Sequence, residues 1–453
     1  MRKIFTIACT IFALVTQPAL ADERSIILII GDGFDDTHVT MARNYLKGQS
    51  GSLLLDQLPF RGAVQVETID LDNNPVYVAD SANTATSLAT GELTQIGRVG
   101  KNGAMQSVKT VLEHAADAGY RTGIVSTASV TDATPAAFAA HVSMRACENP
   151  VTIHGGTKYG IEFSGCPEDL PENGGLGSIA EQLALAKADV ILGGGTEHFV
   201  AQYEMAPSPL ELAKRSGVTV VTKATDLSHQ HAGRVIGLFA DDTMPVRWRG
   251  GEGRTAEYID RSLLNYVHHM IGSVTQPAVI HCEENPDFSD TPTLKAMTEF
   301  AINHLSQGGE KGFFLMIESA SIDKRAHERD PCGSIGETEQ LEEALAAALA
   351  YAGANRNTLV IVTSDHAQAA QIIPDPTLYT SLPIPVFSPG MVARVVTPEG
   401  SIMRVNYATN IIDSEEHTGA NVPLFANAEG KKVLRPFMRQ REIFDAMMRY
   451  LEL

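Results

Sequence analysis

Residues that could bind metal ions or act as nucleophiles recur directly after apolar runs in this chain of 453 residues. Such runs are typical of strands buried on both faces, and the carboxyl ends of parallel strands meet at one edge of a sheet. The residues that follow these runs are Asp32, Asp80, Ser81, Glu318, Asp365 and His366, with Thr134 a few positions beyond a further run. Four carboxylates gathered at one edge would repel one another strongly unless cations lay between them. The pattern therefore predicts a cation site at a sheet edge.

The types of donor in this set favour zinc. Aspartate and histidine without thiolates suit Zn²⁺. Asp323 and His327 are four residues apart, so one helical turn would present both on the same face. Two cations a few ångströms apart are the usual device for displacing an oxygen at phosphorus. The residues by themselves indicate a metallohydrolase.

Ser81 has two interpretations. Residues 76–79 are predicted as a strand, and the small residues after Ser81 are predicted as a helix that stops at Gly91. The Ser81 hydroxyl would then lie beside free N–H groups at the positive end of a helix dipole, where an anion binds well. The simpler interpretation is that Asp80 or Ser81 only caps this helix, just as Asp32 could be a turn residue between glycines.

Alternating strand and helix patterns predict an α/β fold, with a large, mostly parallel sheet that carries helices on both faces. Residues 22–453 are expected to form one domain, and residues 371–411, which lack a clear period, to form a small insertion in it. The predicted strands are 25–30, 121–126, 189–192, 235–239, 313–317 and 359–363. The predicted helices begin near Asp36 or Thr37 and near Pro292, and cover 106–118, 178–187, 335–352 and 441–451.

Charge and the amino terminus exclude several classes of partner. The formal net charge is −19, and it becomes −21 without Arg2 and Lys3. Nucleic acids and anionic membranes require clustered positive charge, so neither is expected to bind. The two basic residues precede an apolar run over residues 4–15 and a small-x-small sequence that ends at Ala21. Residues 1–21 are therefore predicted to be a cleaved signal peptide, which implies a periplasmic or secreted protein. No later run is long enough to span a membrane.

Four cysteines follow the predicted signal peptide, namely Cys147, Cys166, Cys282 and Cys332. An even number in an oxidising compartment predicts two disulfides, for which three pairings are possible. We expect the pairing of nearest neighbours in sequence, Cys147 with Cys166 and Cys282 with Cys332. No two cysteines have zinc-finger spacing, so a cysteine-based metal site is not expected.

Several motifs together resemble the alkaline phosphatase family, and most closely its bacterial periplasmic members. They are VADSANTAT around Ser81, DATPAAFAAHVSMR from Asp132 to Arg145, ESASIDKRAH, SDHA and EEHTG. The similarity runs from about Ile26 to the carboxyl terminus. Several independent motifs in the same order make the match specific, whereas one DSA triplet would mean little.

The resemblance implies a role for each matching position. Ser81 would be the nucleophile, Arg145 would bind two phosphate oxygens, and Asp80 would steady the Arg145 guanidinium. One zinc would be held by Asp323, His327 and His417, and the other by Asp32, Asp365 and His366. Magnesium would be held by Thr134, Glu318 and Asp32. Asp132 and Lys324 would lie in the outer magnesium shell and at the outer phosphate contact. The family also implies phosphate monoesters as substrates, and a homodimer with residues 371–411 near its interface.

The implied chemistry is consistent with these residue types. A metal ion favours the serine alkoxide, and attack on a phosphate monoester would give phosphoserine. Zinc would stabilise the leaving oxygen and then supply hydroxide, because it lowers the pKa of bound water to roughly 7. Arginine offers a planar fork to two oxygens, which lysine does not.

The chain departs from the family motifs at two places, and two alternative functions are left open. Asn83 stands where the family usually has a small residue, and Phe34-Asp35 stands where Met-Gly is common, but neither change removes a ligand. A phosphodiesterase or sulfatase of the same superfamily is one alternative. Diesterases commonly use threonine, and sulfatases need a modified Cys or Ser in a different motif. A non-catalytic phosphate- or metal-binding protein is the other alternative, and loss of a metal ligand would have favoured it.

Overall fold

The computed structural model describes residues 23–453 except 159, 269, 310, 379–380 and 382–385. The predicted signal peptide, residues 1–21, lies outside the described residues. The boundaries of the single domain and of the insertion stay predictions.

The described residues contain one ten-stranded sheet, which dominates the fold. Its strands are β1 (Ser25–Gly31), β2 (Phe60–Gln65), β3 (Arg121–Ser129), β4 (Val190–Gly194), β5 (Thr219–Val221), β6 (Val235–Leu238), β7 (Phe313–Ser319), β8 (Thr358–Ser364), β9 (Val422–Ala426) and β10 (Phe437–Arg439). Their spatial order is β10-β2-β9-β8-β1-β7-β3-β4-β6-β5. Only β9 runs antiparallel to its neighbours in this sheet, so the predicted α/β fold with a mostly parallel sheet is confirmed.

The α-helices cover the sheet on both faces. They are α1 (Asp36–Lys47), α2 (Leu54–Gln57), α3 (Ser81–Thr90), α4 (Val111–Asp117), α5 (Ala133–Ala136), α6 (Ile179–Leu185), α7 (Thr196–Val200), α8 (Pro209–Arg215), α9 (Leu263–Val267), α10 (Leu294–Leu305), α11 (Ser321–His327), α12 (Pro331–Ala354), α13 (Gly430–Val433) and α14 (Gln440–Leu451). Side chains alternate along β1. Ile26 and Leu28 join the core beneath α3, α4, α6 and α14, whereas Ile27 and Ile29 join the core beneath α1, α10 and α12.

Three sequence predictions about local structure were wrong. Residues 76–79 form no strand of the large sheet, because Tyr77 and Val78 are exposed and Pro75–Val76 pairs only with Thr68–Ile69. Helix α1 is capped by Asp35, whose side chain accepts the N–H groups of Thr37 and His38, rather than by Asp36 or Thr37. The helix predicted over 106–118 begins only at Val111, after the Thr110 cap.

Short strands make up the remaining sheets. They are Thr68–Ile69, Pro75–Val76, Gly156–Lys158, Ile161–Phe163, Trp248–Gly250, Glu257–Tyr258, Asp260–Arg261, Val274–Thr275, Cys282–Glu284, Ala367–Gln368, Gln371–Ile373, Met391–Val396, Ile402–Tyr407 and His417–Thr418. Three strands of the predicted insertion 371–411 form a four-stranded sheet together with Glu257–Tyr258, which lies at its edge. No helix of the described chain is both long and apolar enough to cross a bilayer.

Two disulfides form as expected. Cys147 pairs with Cys166, and Cys282 pairs with Cys332. The first closes the loop that follows Arg145, and the second joins the short strand Cys282–Glu284 to the start of α12. The nearest-neighbour pairing is therefore confirmed.

Candidate active site

Three adjacent parallel strands bring the predicted metal ligands together. Gly31 at the end of β1 is in register with Ser319 of β7 and with Ser364 of β8. Asp32 follows the first of these ends, and Asp365 and His366 follow the third. The carboxylate edge of the sheet is thus built as the sequence predicts.

Ser81 reaches this edge from a helix rather than from a strand. It is the first residue of α3, and Asp80 caps that helix. The Ser81 hydroxyl oxygen lies 3.2 Å from Nε2 of His366 and 3.5 Å from Oδ1 of Asp32. The capping interpretation is correct for Asp80, and it does not compete with a chemical role for Ser81, because the cap leaves the Ser81 hydroxyl directed at the cluster.

Asp32, Asp365 and His366 form the inner cluster. Nε2 of His366 lies 3.3 Å from Oδ1 of Asp32 and 3.4 Å from Oδ2 of Asp365. Gly33 N–H donates to Asp365 Oδ1, while the buried Oδ2 accepts no hydrogen bond from the described part of the chain. A buried carboxylate oxygen without a donor is costly, and a cation would relieve that cost.

Asp323, His327 and His417 form a second cluster beside the first. Helix α11 presents Asp323 and His327 on one face, as their spacing predicts. His417 arrives at the same edge because β9, which begins at Val422, runs antiparallel to β8. Its Nε2 lies 3.4 Å from Oδ1 of Asp323 and 3.1 Å from Nε2 of His327. The rings of His417 and His366 stack with centroids 3.6 Å apart, so the two clusters are contiguous.

Hydrogen bonds set the tautomer of each histidine in these clusters. Nδ1 of His417 donates to the carbonyl of Ala79 at 2.7 Å, and Nδ1 of His366 to that of Ala367 at 3.3 Å. Nδ1 of His327 donates to the carbonyl of Glu415. Every Nε2 lone pair therefore faces the clusters. Two such nitrogens lie 3.1 Å apart only if a proton or a cation lies between them, so the donor set fits metal ions.

The electrostatics of the two clusters also favours bound cations. Burial, together with Asp365 and Asp323, raises the pKa of Asp32 well above its usual value. Burial and His366 lower the pKa of His417 to about 4. Burial also works against His366, yet Asp365 and Asp32 raise its pKa to about 10. Carboxylates that raise one another's pKa and lie beside a histidine of lowered pKa are groups that a bound cation would stabilise in their deprotonated forms.

Glu318 and Thr134, the predicted magnesium ligands, are both buried beside this edge. Burial and Asp32 raise the pKa of Glu318 to about 8. Ser126 donates a hydrogen bond to Glu318. Thr134 lies in α5, and its buried hydroxyl has no hydrogen-bond partner among the residues that the structure describes. An unsatisfied buried hydroxyl is what a hard-cation ligand would leave when no cation is present.

Arg145 is held between two carboxylates, Asp80 and Asp132. One guanidinium nitrogen lies 2.6 Å from Asp132 Oδ1, and another lies 3.5 Å from Asp80 Oδ2. Lys324 pairs with the other oxygen of Asp132. Burial opposes ionisation of Asp132, but Lys324 and Arg145 hold the pKa of its carboxyl well below its usual range. A fixed guanidinium with a nearby lysine is suited to an oxyanion.

The two departures from the family pattern have local explanations. Asn83 completes a capping box, since its Oδ1 accepts the N–H of Asp80 at 2.9 Å while Asp80 Oδ1 accepts the N–H of Asn83. Phe34 is fully buried in the core beneath α1, and Asp35 caps that helix. Neither residue displaces a side chain of the clusters.

One cleft of about 820 Å³ is bordered by Asp32, Ser81, Asp132, Arg145, Asp323, Lys324, His327 and His417, and also by Glu148, Lys158 and Asp242. Along it lies an outer cluster of Glu197, His198 and Asp242, whose possible ligand atoms lie within 4.8 Å of one another. The sequence does not predict this cluster, because its members follow no shared motif. Its histidine differs from those of the inner clusters in the partner of Nδ1.

Asn149 determines the tautomer of His198. Asn149 Oδ1 accepts the N–H groups of Val151 and Thr152, so its Nδ2 must be the atom 2.9 Å from His198 Nδ1. Nδ1 therefore accepts, and the ring proton lies on Nε2, 2.5 Å from Glu148. With its proton on Nε2, the His198 ring offers no lone pair toward Glu197 and Asp242, so the outer cluster suits a metal ion less well than the inner clusters do.

Sequence reasoning also missed the residues that orient the ligands. Gln368 donates to Asp323 Oδ1 at 2.7 Å, and Gln440 donates to the carbonyl of Asp365 at 2.6 Å. Gln368 lies two positions after His366, and this proximity was the only available signal. Gln440 lies 75 positions from its partner, and no local pattern marks it.

The family model for alkaline phosphatase matches residues 23–382. The chain is 40% identical to the alkaline phosphatase of Escherichia coli K12 over 423 residues, which cover 90% of this chain and 82% of that protein. The chain belongs to the alkaline phosphatase family.

A second relative and the solved structures agree with this assignment. Streptomycin-6-phosphate phosphatase of Streptomyces griseus is 39% identical over 447 residues, 94% of this chain and 92% of that protein. The alkaline phosphatase of the Antarctic bacterium TAB5 has a TM-score of 0.65 at 22% identity, with 96% of this chain and 99% of that chain covered. At that identity the structural match shows the fold alone. As an alkaline phosphatase family member, the chain is a phosphoric monoester hydrolase.

Proposed function

We propose that this chain hydrolyses phosphate monoesters through a phosphoserine formed on Ser81. The observation that carries the proposal is the Ser81 hydroxyl, which lies 3.2 Å from His366 Nε2 and 3.5 Å from Asp32 Oδ1 in the cleft. Attack by Ser81 Oγ forms an O–P bond while the bond from phosphorus to the leaving oxygen breaks. That oxygen departs with the bonding pair and takes up one proton, which balances the proton that Ser81 loses, to give the alcohol. Attack by water then releases inorganic phosphate and restores the serine.

Two zinc ions and one magnesium ion are proposed as cofactors. Asp323, His327 and His417 would hold one zinc, Asp32, Asp365 and His366 the other, and Asp32, Thr134 and Glu318 the magnesium. When bound, these ions would supply Lewis acidity for the serine alkoxide, the leaving oxygen and the attacking water. The inward lone pairs of the three histidines and the unpartnered oxygens of Asp365 and Thr134 support the assignment.

Substrate positioning is assigned to Arg145. Its contacts with Asp132 and Asp80 hold the guanidinium fork in one orientation, so that it can bind two phosphate oxygens without first losing rotamer freedom. Lys324, paired with Asp132, would contribute a second positive charge near the phosphate. The cleft is larger than a phosphate ion needs, which supports a broad range of leaving groups.

We further propose a periplasmic or secreted homodimer, with residues 371–411 near its interface. The apolar run over residues 4–15 supports export, and the two disulfides support an oxidising compartment. The amount of zinc and magnesium per subunit belongs to the same set of proposals.

Replacement of the nucleophile tests the covalent mechanism. Ser81→Ala, loaded with zinc and magnesium, is expected to hydrolyse 4-nitrophenyl phosphate roughly 10³-fold or more slowly than the parent protein, because no other side chain replaces the lost hydroxyl. Metal content is measured on the same samples and should be unchanged. Full turnover by Ser81→Ala with its metals bound would contradict the phosphoserine route.

Substrate comparison separates the proposal from its alternatives. The parent enzyme should prefer the nitrophenyl phosphate monoester to the corresponding diester and to the sulfate. Preference for the diester or the sulfate would favour the related hydrolases instead. Tight phosphate binding without turnover after zinc loading would indicate a binding protein.

A further inference from the structure

Arg329 and Glu415 form a buried ion pair immediately behind the Asp323–His327–His417 cluster. Arg329 Nε lies 2.7 Å from Glu415 Oε2, and the two side chains are 5% and 0% exposed. Arg329 Nη2 also donates to Asn410 Oδ1 at 3.0 Å and to the carbonyl of Ile412 at 2.7 Å. One guanidinium therefore binds three points of the segment that leads to His417.

The backbone of Glu415 in turn holds His327. Its N–H donates to the carbonyl of His327 at 2.9 Å, and its own carbonyl accepts Nδ1–H of the same residue. Glu415 thus contacts both the main chain and the ring of His327, and it lies two residues before His417. Thr409 N–H donates to the other carboxylate oxygen of Glu415 at 2.7 Å, which fixes that oxygen as well.

Arg329 adopts an unfavourable backbone conformation to make these contacts. Its φ is +57°, in the left-handed region that favours glycine. The Arg329 carbonyl accepts the N–H of Ala256, which further fixes this residue. Strained residues persist only where the surrounding structure holds them, and they concentrate at functional sites.

Stability alone does not account for this pair. Desolvation of two buried charges cancels much of their attraction, and apolar replacements of such pairs are often neutral or stabilising. A buried ion pair with several hydrogen bonds instead fixes the positions of the groups that it contacts. The Nδ1 partner of a ligating histidine fixes the ring orientation, and loss of such a partner typically costs roughly 10–100-fold in metal affinity.

We propose that Arg329 and Glu415 are positioning residues that set His327 and His417 for the cation of the Asp323 cluster. This inference rests on the proposed function, in which that cluster binds zinc. Neither residue touches the cation or the substrate. Arg329 acts through Glu415, and Glu415 acts through its peptide group on His327 and through the chain on His417.

The test uses a double variant, Arg329→Met with Glu415→Gln, which leaves no unpaired charge in the interior. The matched control is Arg394→Met with Asp375→Asn. This pair also joins an arginine to an aspartate, with N···O distances of 2.9 Å, and Arg394 lies in the four-stranded sheet. Zinc affinity of the purified full-length protein is measured by competition with a chromogenic chelator. Thermal unfolding of the zinc-free protein is measured for both variants.

We expect the affinity for one of the bound zinc ions to fall by about 10–100-fold in the Arg329/Glu415 variant. The unfolding midpoint of this variant without zinc should match that of the control variant. Equal zinc affinity in the variant and the parent protein would overturn the inference. Weakened zinc binding with a midpoint far below the control would also overturn it, because the pair would then be merely structural. A parent protein that binds no zinc would instead contradict the proposed function.

Discussion

The inner cluster and the outer cluster have the same composition, two carboxylates and one histidine, and each contributes one carboxylate to the wall of the same cleft, Asp32 and Asp242. In the inner cluster, His366 directs Nε2 at Asp32 and Asp365 because Nδ1 donates to a backbone carbonyl. In the outer cluster, Asn149 donates to Nδ1 of His198 and leaves the proton on Nε2. Proximity of donor atoms therefore does not by itself define a metal site. The hydrogen bond at Nδ1 determines whether Nε2 presents a lone pair to the cluster.

The two clusters also differ in how far their side chains are exposed to solvent. The Asp365 and His366 side chains are fully buried, whereas those of Glu197 and Asp242 are more than half exposed. Buried carboxylates repel one another in a medium that screens weakly, so they require a cation or protons. Exposed carboxylates are solvated by water and require neither.

The largest expected effect comes from matched substitutions in the two clusters. Asp365→Asn should lower kcat/KM for 4-nitrophenyl phosphate by well over 100-fold, since loss of a residue that merely orients a ligand already costs about 10–100-fold. Asp242→Asn should change it by less than about threefold, as for an ordinary surface residue. Steady-state kinetics with zinc and magnesium in excess would measure both. Equal losses would show that the outer cluster takes part in catalysis.

The second expected effect concerns the stability of the metal-free protein. Glu318 has an ordinary pKa of 4.5 and a folded-state pKa of about 8, so the folded protein binds the additional proton between these values. Its contribution to stability is present below pH 4.5 and is lost as the pH rises to about 8. The loss should reach roughly 5 kcal/mol, because each pKa unit corresponds to about 1.4 kcal/mol. Urea unfolding at a series of pH values would measure it.

Two variants make this pH dependence specific. Glu318→Gln should flatten the decline in the metal-free protein, whereas Glu197→Gln in the outer cluster should leave it unchanged. Added zinc and magnesium should also flatten it, since the cations replace the protons. A decline that persists in Glu318→Gln would assign it to other groups.

The smallest expected effect is the conversion of the outer cluster into a metal site. Asn149→Asp keeps an oxygen for the N–H groups of Val151 and Thr152, and replaces the donor opposite His198 Nδ1 by an acceptor. The ring proton would then move to Nδ1, and Nε2 would face Glu197 and Asp242 with its lone pair. We expect one additional zinc ion per chain, measured by elemental analysis after dialysis against dilute zinc.

A further substitution provides the control for this experiment. His198→Gln in the Asn149→Asp background should remove the additional zinc. If the parent protein already bound that ion, the argument from the His198 tautomer would be wrong.

Sequence reasoning succeeded where the signal was local. The runs before Asp32, Glu318 and Asp365 are continuous and apolar, and such runs form central strands because both faces are buried. The spacing of Asp323 and His327 equals one helical turn, and α11 presents both residues as expected. The prediction of a strand over 76–79 was wrong. An apolar run joins a sheet only where a neighbouring strand can pair with it, and here Tyr77 is exposed instead.

The amino-acid sequence by itself determined the mostly parallel sheet, the ligand types, the capped helix that carries Ser81 and the presence of two disulfides. Each of these follows from periodicity, from neighbouring residues or from the resemblance carried by contiguous motifs. Only the tertiary structure decided which nitrogen of each histidine is free, which carboxylates lack a donor, and that Arg329 and Glu415 brace His327. Those features depend on contacts between residues as far as 338 positions apart, such as His417 and Ala79. Hydrogen-bond partners at such separations leave no periodic trace in the chain.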